Sequence, residues 1–541
     1  MPHHHNMIKG YGNEQQFLLP VNAMEWLSEN DITYAILDIL SLLDISKFID
    51  KYREDGRGSA FFDPRVMLGI LIYAMIRGEK SSRKIEMCCH YDIGYRIVAH
   101  NLTPDHTTIY RFKKNNSDEI KSLFKQLSRI IVESGIAQIG VLALDGSKFG
   151  CNASLSANKK LKHLESELNR LFDESQEIDE SENKDGNAQD MRINRLPEHL
   201  STNEKRKKVL IRARDKIIER NKEESKKQEE KIKEREKEER ESGKLKRGRK
   251  PSKPQKNPSP DLKVNVTDPD SQIMSTTNGW IQGYNGQIIV SENQYILAAL
   301  LSDEQNDKKL LVPMLNELQE LFSGIHPPIL PHSFLSDAGY YSYQNALAEN
   351  EYSMNFIIPP SKERKIHEYT LDDGNVSRME EICKMISNGI RVTIAELANI
   401  GTFVWRSFMD REKNATNEEI CRRIMEARVR SPTGRELYRK RKYMVEPVFG
   451  DIKHNMRFRT FSQKGKENCE GEFFLAALVH NIKKLAKISN ITTVGHFFSR
   501  FLIHPQSQFP LFYQPRTVSA MRGLRSVNEI LIMLAISYTK V

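Results

Sequence analysis

The stretch "QIGVLALDGSKFG", residues 138–150, decides how the rest of the chain is read. Four apolar residues, Val141, Leu142, Ala143 and Leu144, run directly into Asp145 and Gly146. A short continuous apolar run bounded by turn residues predicts a strand of the buried type. A carboxylate at the end of such a strand is costly unless it is paired or binds a cation. The question is therefore what else in the chain meets Asp145.

Upstream, residues 12–135 read as helices: "AILDILSLLDISKFIDKY" and "PRVMLGILIYAMIRG" carry apolar residues at three-four spacing. In "NLTPDHTTIYRFKKNN", Pro104 and Asp105 open a helix that presents Tyr110, Arg111, Lys113 and Lys114. Two readings stand for it: a surface helix with a solvated face, or the second helix of a helix-turn-helix set against DNA. Downstream comes a long charged interruption, and order returns at Val264. "GYNGQIIV" and "YILAALLSDE" predict two strands joined at "SENQ", and "DKKLLVPMLNELQELF" an amphipathic helix. "HSFLSDAGYYS" predicts a short strand, "SYQNALAEN" a helix and "MNFIIPPS" a further strand. The order is strand, insertion, strand, strand, helix, strand, helix, strand.

Bulk composition narrows the class. The chain has 541 residues, 39% hydrophobic and 28% charged, which predicts a largely globular protein with at least one sizeable core. Six cysteines are scattered without a CxxC pair, which argues against a disulfide framework or a zinc ribbon and suits a reducing cytoplasm. The vicinal Cys88 and Cys89 before His90 read as buried small hydrophobes rather than as metal ligands. The N-terminus has no apolar signal region, and the longest apolar run, from Leu68, is too short to span a bilayer. The formal net charge is +10, and residues 201–250 hold 21 Lys and Arg against 12 Asp and Glu. One segment thus carries nearly the whole imbalance, which points to a polyanion partner, most simply nucleic acid.

Two more acids join Asp145. Asp337 ends the strand of "HSFLSDAGYYS", and Glu446 opens or nearly opens a helix with apolar partners Phe449, Ile452 and Met456. Each alone has an ordinary explanation, as a cap, a turn or a boundary residue before Pro447. Together, three carboxylates converging from ordered elements would suit Mg²⁺, which prefers oxygen ligands and keeps several waters. Two such ions can activate a nucleophile and stabilise the leaving oxygen of a phosphodiester. Around Glu446 lie Tyr438, Arg439, Arg441, Lys442, Lys453 and Arg457, read as phosphate contacts or as a solvated helix face.

The ordered set "LALDGSKF", "NVTDPDSQIM", "GYNGQIIV", "FLSDAGYYS" and "RSPTGRELYRKRKYMVEPVFGDIKHNMRFRTF" resembles insertion-sequence transposases of the Asp-Asp-Glu (DDE) type. "GEFFLAALVHNIKKL" looks like the family's closing helix and "PDHTTIYRFKK" like the end of its N-terminal region. The resemblance implies a mixed α/β fold: an RNase H-like core, an all-α N-terminal domain and a long charged helical insertion. The boundaries expected are 1–135 for the N-terminal DNA-binding region, 138–155 plus 264–488 for the catalytic core, 156–263 for the insertion and 489–541 for an extension of unassigned role. It further implies Asp145, Asp337 and Glu446 as metal-binding catalytic acids using Mg²⁺, with Mn²⁺ as substitute. The partners implied are double-stranded DNA, at element ends and target, and a homodimer or higher assembly on it, in the cytoplasm with the nucleoid. Lys453, two helical turns after Glu446, matches a family lysine that handles DNA phosphates; the expected arginine spacing falls on Lys442. Two alternatives share the acids: a metal-dependent nuclease without strand transfer, and a DNA-binding protein whose acids no longer work.

The insertion has few apolar anchors and is expected to form a solvated helix, a hairpin or a coiled-coil arm without a strong core of its own. It ends in a Pro/Lys-rich linker in which "KRGRKPSK", with Arg247 and Arg249, resembles an AT-hook that inserts arginines into a narrow minor groove; the plain reading is a basic linker.

Overall fold

The computed structural model describes residues 26–52 (except 29), 61–171, 198–242, 252–325 (except 256), 331–360 (except 353) and 417–487. The extension after 488 and the linker arginines Arg247 and Arg249 lie outside the described residues.

Eight strands are described. β1 is Val141–Gly150, β2 Asn158–Lys160, β3 Lys263–Asn265, β4 Gln272–Thr276, β5 Gly279–Ser291, β6 Ile296–Ser302, β7 Ser333–Leu335 and β8 Asn355–Ile357. In the larger sheet β5 lies antiparallel beside β1 on one side, and beside β6 and β4 on the other. β7 and β8 follow in parallel on the far side of β1. β1 is therefore central, and its apolar half, Val141 to Leu144, is buried as the run of apolar residues predicts. Within the larger sheet the element order matches the order read from the sequence, with one addition: β4, joined to β5 by the two-residue turn Thr277-Asn278. Gly279, the first residue of β5, adopts a φ of 110° as the chain leaves that turn.

The N-terminal helices form for local reasons. Helix Pro64–Arg77 starts with Asp63 accepting from the Arg65 amide at 2.7 Å and stops at Gly78, whose φ of 73° suits a left-handed cap. Helix His106–Asn115 is capped by Asp105, which accepts from the Thr108 amide. Helix Ser117–Glu133 then lies along helix Lys466–Lys487, with Phe124 against Phe474 at 5.5 Å between ring centroids. One hydrophobic core runs from Ile36 through the sheet to Leu485, so the N-terminal helices and the sheet share it. Cys89 is in this core, and burial pushes its thiol up to about 12, as an inert packed cysteine requires. Among the described residues no helix is long and apolar enough to cross a membrane.

The insertion is better anchored than its composition suggests. β2 and β3 pair antiparallel at its base, Lys160 opposite Lys263. A 45-residue helix, Glu198–Ser242, packs Leu210, Ala213 and Ile217 on Leu161, Leu164, Leu168 and Val264. Of the forms expected for the arm, this small second core fits one in which helices pack on each other rather than a single solvated helix. The apolar residues are few, but they fall on one face of the arm's first half and meet a second apolar stripe. Asp270, just before β4, ties the arm to the sheet through Arg212 and Lys216.

Candidate active site

Asp145 and Asp337 occupy equivalent levels of neighbouring strands. The parallel register pairs Val141 with Ser333 and Ala143 with Leu335, and each acid lies two residues beyond the last of these pairs. The Asp145 carboxylate accepts from its own neighbour's amide, Gly146, at 2.8 Å, and from Arg441 Nη1 at 3.0 Å. Asp337 caps the short turn Ala338–Tyr340, accepting from the Gly339 amide at 2.9 Å. Burial pushes the Asp145 carboxyl up to about 6; the Asp337 charge adds to the rise, and Arg441 opposes it. The two carboxylates repel each other from adjacent strands, and their oxygens are donors of the type a divalent cation takes. The Arg441 guanidinium, over the Tyr438 ring at 5.8 Å, supplies positive charge to Asp145 here, and its Nε is buried without a hydrogen-bond partner.

Glu446 departs from expectation. Its helix is Pro432–Gly450, so Glu446 sits well inside it rather than near its start, and its side chain is exposed rather than inward-facing. The buried face consists of Met444, Val445, Val448 and Phe449, leaving Glu446 on the flank with Arg439 and Lys442, which are also exposed. Pro447 does not end the helix because its missing N–H is compensated. The Tyr443 carbonyl, which an amide at 447 would have met, accepts from the Gln294 side chain at 2.7 Å. Among the described residues no group of three or more His, Cys, Asp or Glu side chains is close enough to hold a metal ion, so this arrangement joins Asp145 to Asp337 without joining both to Glu446.

Lys453 also differs from the two-turn spacing argument. The helix continues into a π-helical turn, Asp451–Asn455, which winds more loosely and rotates Lys453 away from Glu446's flank toward β1. There its ammonium donates to Ser147 Oγ at 2.6 Å and the Lys148 carbonyl at 2.9 Å, over the Phe149 ring. Burial lowers its pKa, with Arg459 and Lys148 adding to the fall. Of the other basic candidates, Arg111, Lys114 and Arg457 are exposed, as is Tyr110. Lys113 is a correction. It is buried against Glu472, 2.8 Å away, and Ser462, 2.6 Å away, so its charge is spent inside the protein and not on a partner.

Several polar groups close to the site carried no sequence signal. Asp307, after β6, accepts from Asn285 at 2.7 Å, Gln287 at 3.0 Å and Lys148 at 3.2 Å. Asp451 accepts from His480 at 2.9 Å, Lys483 at 2.5 Å and Asn455 at 2.8 Å, and His480 reaches on to the Gln294 carbonyl. Burial opposes ionisation of Asp451, but these donors outweigh it and hold the carboxyl well below the usual range. This cluster fixes the helix that carries Arg441 and Glu446 to helix Lys466–Lys487.

Two family models match the chain: one described as a transposase DDE domain over residues 407–486, and one described as a transposase domain (DUF772) over residues 21–115. The first covers Glu446 and the helix after it; the second covers the N-terminal helices through Asn115. No curated protein and no solved structure matches the chain.

Proposed function

We propose that this chain, an insertion-sequence transposase of the DDE type, cuts phosphodiester bonds at element ends and joins the freed 3′-hydroxyl to target DNA. The observation that carries this reading is the placement of Asp145 on β1 and Asp337 after β7 at equivalent levels, each two residues past the end of the β1–β7 ladder. The antiparallel β6, β5 and β1 followed by parallel β7 and β8 fit the RNase H-like core that the resemblance implies.

Asp145 and Asp337 would hold Mg²⁺ or Mn²⁺, with Glu446 as the third acid from the helix flank. A divalent cation there supplies Lewis acidity, polarising the scissile phosphate and favouring deprotonation of the attacking water or 3′-hydroxyl. The remaining work belongs to the chain's own groups. Arg439 and Lys442 share Glu446's exposed flank and neutralise backbone phosphates, holding the DNA where the acids face the scissile bond. Arg441 balances the Asp145 charge from the same helix and is long enough to exchange that carboxylate for a phosphate. Lys453 braces Ser147, two residues beyond Asp145, and so holds the catalytic strand's edge. Bringing Glu446 to the other two acids requires a shift of its helix or of its side chain, which DNA seated on the basic flank would favour. Two DNA ends in one complex imply two copies of the chain.

The test is incubation with the element's own terminal inverted repeats and Mg²⁺ or Mn²⁺, with cleavage and joining scored separately. Both products are expected. Cleavage without joining supports the nuclease reading, and binding without either supports an inactive DNA-binding protein. Asp145→Asn, Asp337→Asn and Glu446→Gln should each remove both products and leave DNA affinity nearly unchanged. Full activity in Glu446→Gln removes that residue from the set.

A further inference from the structure

Behind the two aspartates lies a buried polar chain that the mechanism above does not use. Gln287 on β5 stands opposite Gly146, the residue after Asp145. A Cβ at Gly146 would lie 2.1 Å from the Gln287 amide nitrogen, so a larger residue there would displace the amide from its present place. Gln287 Oε1 accepts from the hydroxyl of Tyr340, three residues after Asp337, and both side chains are buried. Gln287 Nε2 donates to Asp307 Oδ1 and to Asn285 Oδ1, each at 3.0 Å. Asn345 Nδ2 then donates to the Tyr340 carbonyl at 2.6 Å and the Lys308 carbonyl at 2.7 Å. One amide on β5 thus links the turn of Asp337 to the segment after β6 and lies against Gly146 of the Asp145 strand.

Polar groups are seldom buried across a sheet unless each is satisfied, and here hydroxyl and amide satisfy each other. The β1–β7 backbone ladder fixes the strand separation as far as Ala143 and Leu335 and stops two residues short of each acid. Beyond that point the Tyr340 hydroxyl, three residues after Asp337, donates to Gln287 on β5, whose cross-strand partner Gly146 follows Asp145, and this contact holds the two ends together. We infer that Gln287 and Tyr340 are positioning residues that fix the separation of the Asp145 and Asp337 carboxylates, and so set how strongly the pair binds a divalent cation. The inference rests on the reading of these two acids as the cation-holding pair.

The experiment measures Mn²⁺ binding to the full-length protein by the electron paramagnetic resonance signal of free Mn²⁺, without DNA or turnover. Tyr340→Phe keeps the ring and removes the hydroxyl; Gln287→Glu keeps the shape and the acceptor but replaces the amide donor with a carboxylate facing Asp307. Each is expected to weaken Mn²⁺ binding about tenfold, as loss of an outer hydrogen bond typically does, while the far-UV circular dichroism spectrum and salt-dependent DNA affinity stay near those of the parent and the melting temperature falls, most in Gln287→Glu. Asp145→Asn and Asp337→Asn run alongside. If both Asn variants lose Mn²⁺ while Tyr340→Phe and Gln287→Glu bind it as the parent does, the positioning role is overturned and the catalytic reading stands. If the Asn variants bind Mn²⁺ unchanged, the pair is not the cation site and both readings fall. Should Tyr340→Phe not fold, Gln287→Glu decides the matter by the same criterion.

Discussion

At Asp145 the electrostatics give a pH signature that needs no substrate. Its carboxyl titrates at about 6 in the folded chain, above the ordinary carboxylate value, chiefly because of burial. The native state therefore holds this proton more tightly than the unfolded chain does. The cost of ionising it is fully present above about pH 6 and disappears as pH falls through the folded value toward 4. Denaturant titration of the metal-free protein should show the parent losing about 1–3 kcal/mol relative to Asp145→Asn between pH 5 and pH 7.5. The lost Arg441 contact adds only an offset common to both pH values. A flat difference would place the titration elsewhere. Two lysines only four residues or fewer from other basic groups should behave in opposite ways. Lys442→Ala, at an exposed position, should leave stability within about 0.5 kcal/mol and reduce the salt slope of DNA binding by about one. Lys113→Ala, which strands the buried Glu472 carboxylate, should cost about 3–5 kcal/mol and leave the salt slope alone. Chemical denaturation and fluorescence anisotropy over a salt series measure both.

The helix Pro432–Gly450 poses its problem at the scale of an element. Proline inside a helix costs a hydrogen bond, yet this helix runs through Pro447. The Gln294 side chain fills the gap at the Tyr443 carbonyl. A double-mutant cycle isolates that contact: Gln294→Ala should cost about 1 kcal/mol in the parent and much less with Pro447→Ala, whose restored amide meets the carbonyl itself. Equal costs in the two backgrounds would deny the coupling. The end of the same helix rests on Asp451. Its carboxyl is held below the usual range by His480, Lys483 and Asn455, so its contribution is present above the unfolded value and lost as pH falls through the folded one. Asp451→Asn should destabilise the protein by about 2–4 kcal/mol at pH 7 and by less in acid. It should also lower cleavage, because the helix bearing Arg441 and Glu446 loses its anchor. Thermal melts at pH 7 and at about pH 2, below the unfolded carboxylate value, with a cleavage assay at neutral pH test both effects.

For the whole molecule, the arm is the feature most open to removal. Lys160 and Lys263 face each other in the β2–β3 ladder, so a short Gly/Ser turn can close the hairpin in place of residues 161–262. The variant should keep its fold, since the main core is separate from the small core at the arm's base. It should bind DNA less tightly and with a shallower salt dependence, because the segment 201–250 carries most of the chain's excess positive charge. Circular dichroism and salt-series binding test this, and sedimentation with and without DNA tells whether the arm also pairs two copies. Unchanged binding and unchanged assembly would make the arm a passive insertion. The succession of strands along the chain, the burial of Val141 to Leu144 and Asp337 just after β7 were legible in the sequence, whereas β1 runs on to Gly150 and leaves Asp145 in mid-strand rather than at its end. Apolar runs ending in a carboxylate are local patterns, and strand pairing preserves them. The N-terminal helices were legible for the same reason, through their caps and their spacing. Only the tertiary structure decided that Lys113 is internal, that Glu446 stands on an exposed flank and that a π-helical turn carries Lys453 to Ser147. It alone joined Gln287 to Tyr340 and Asp451 to His480. A polar side chain's role depends on which distant groups reach it. The partners here lie 29 to 349 residues apart along the chain, beyond the reach of any periodicity or local spacing.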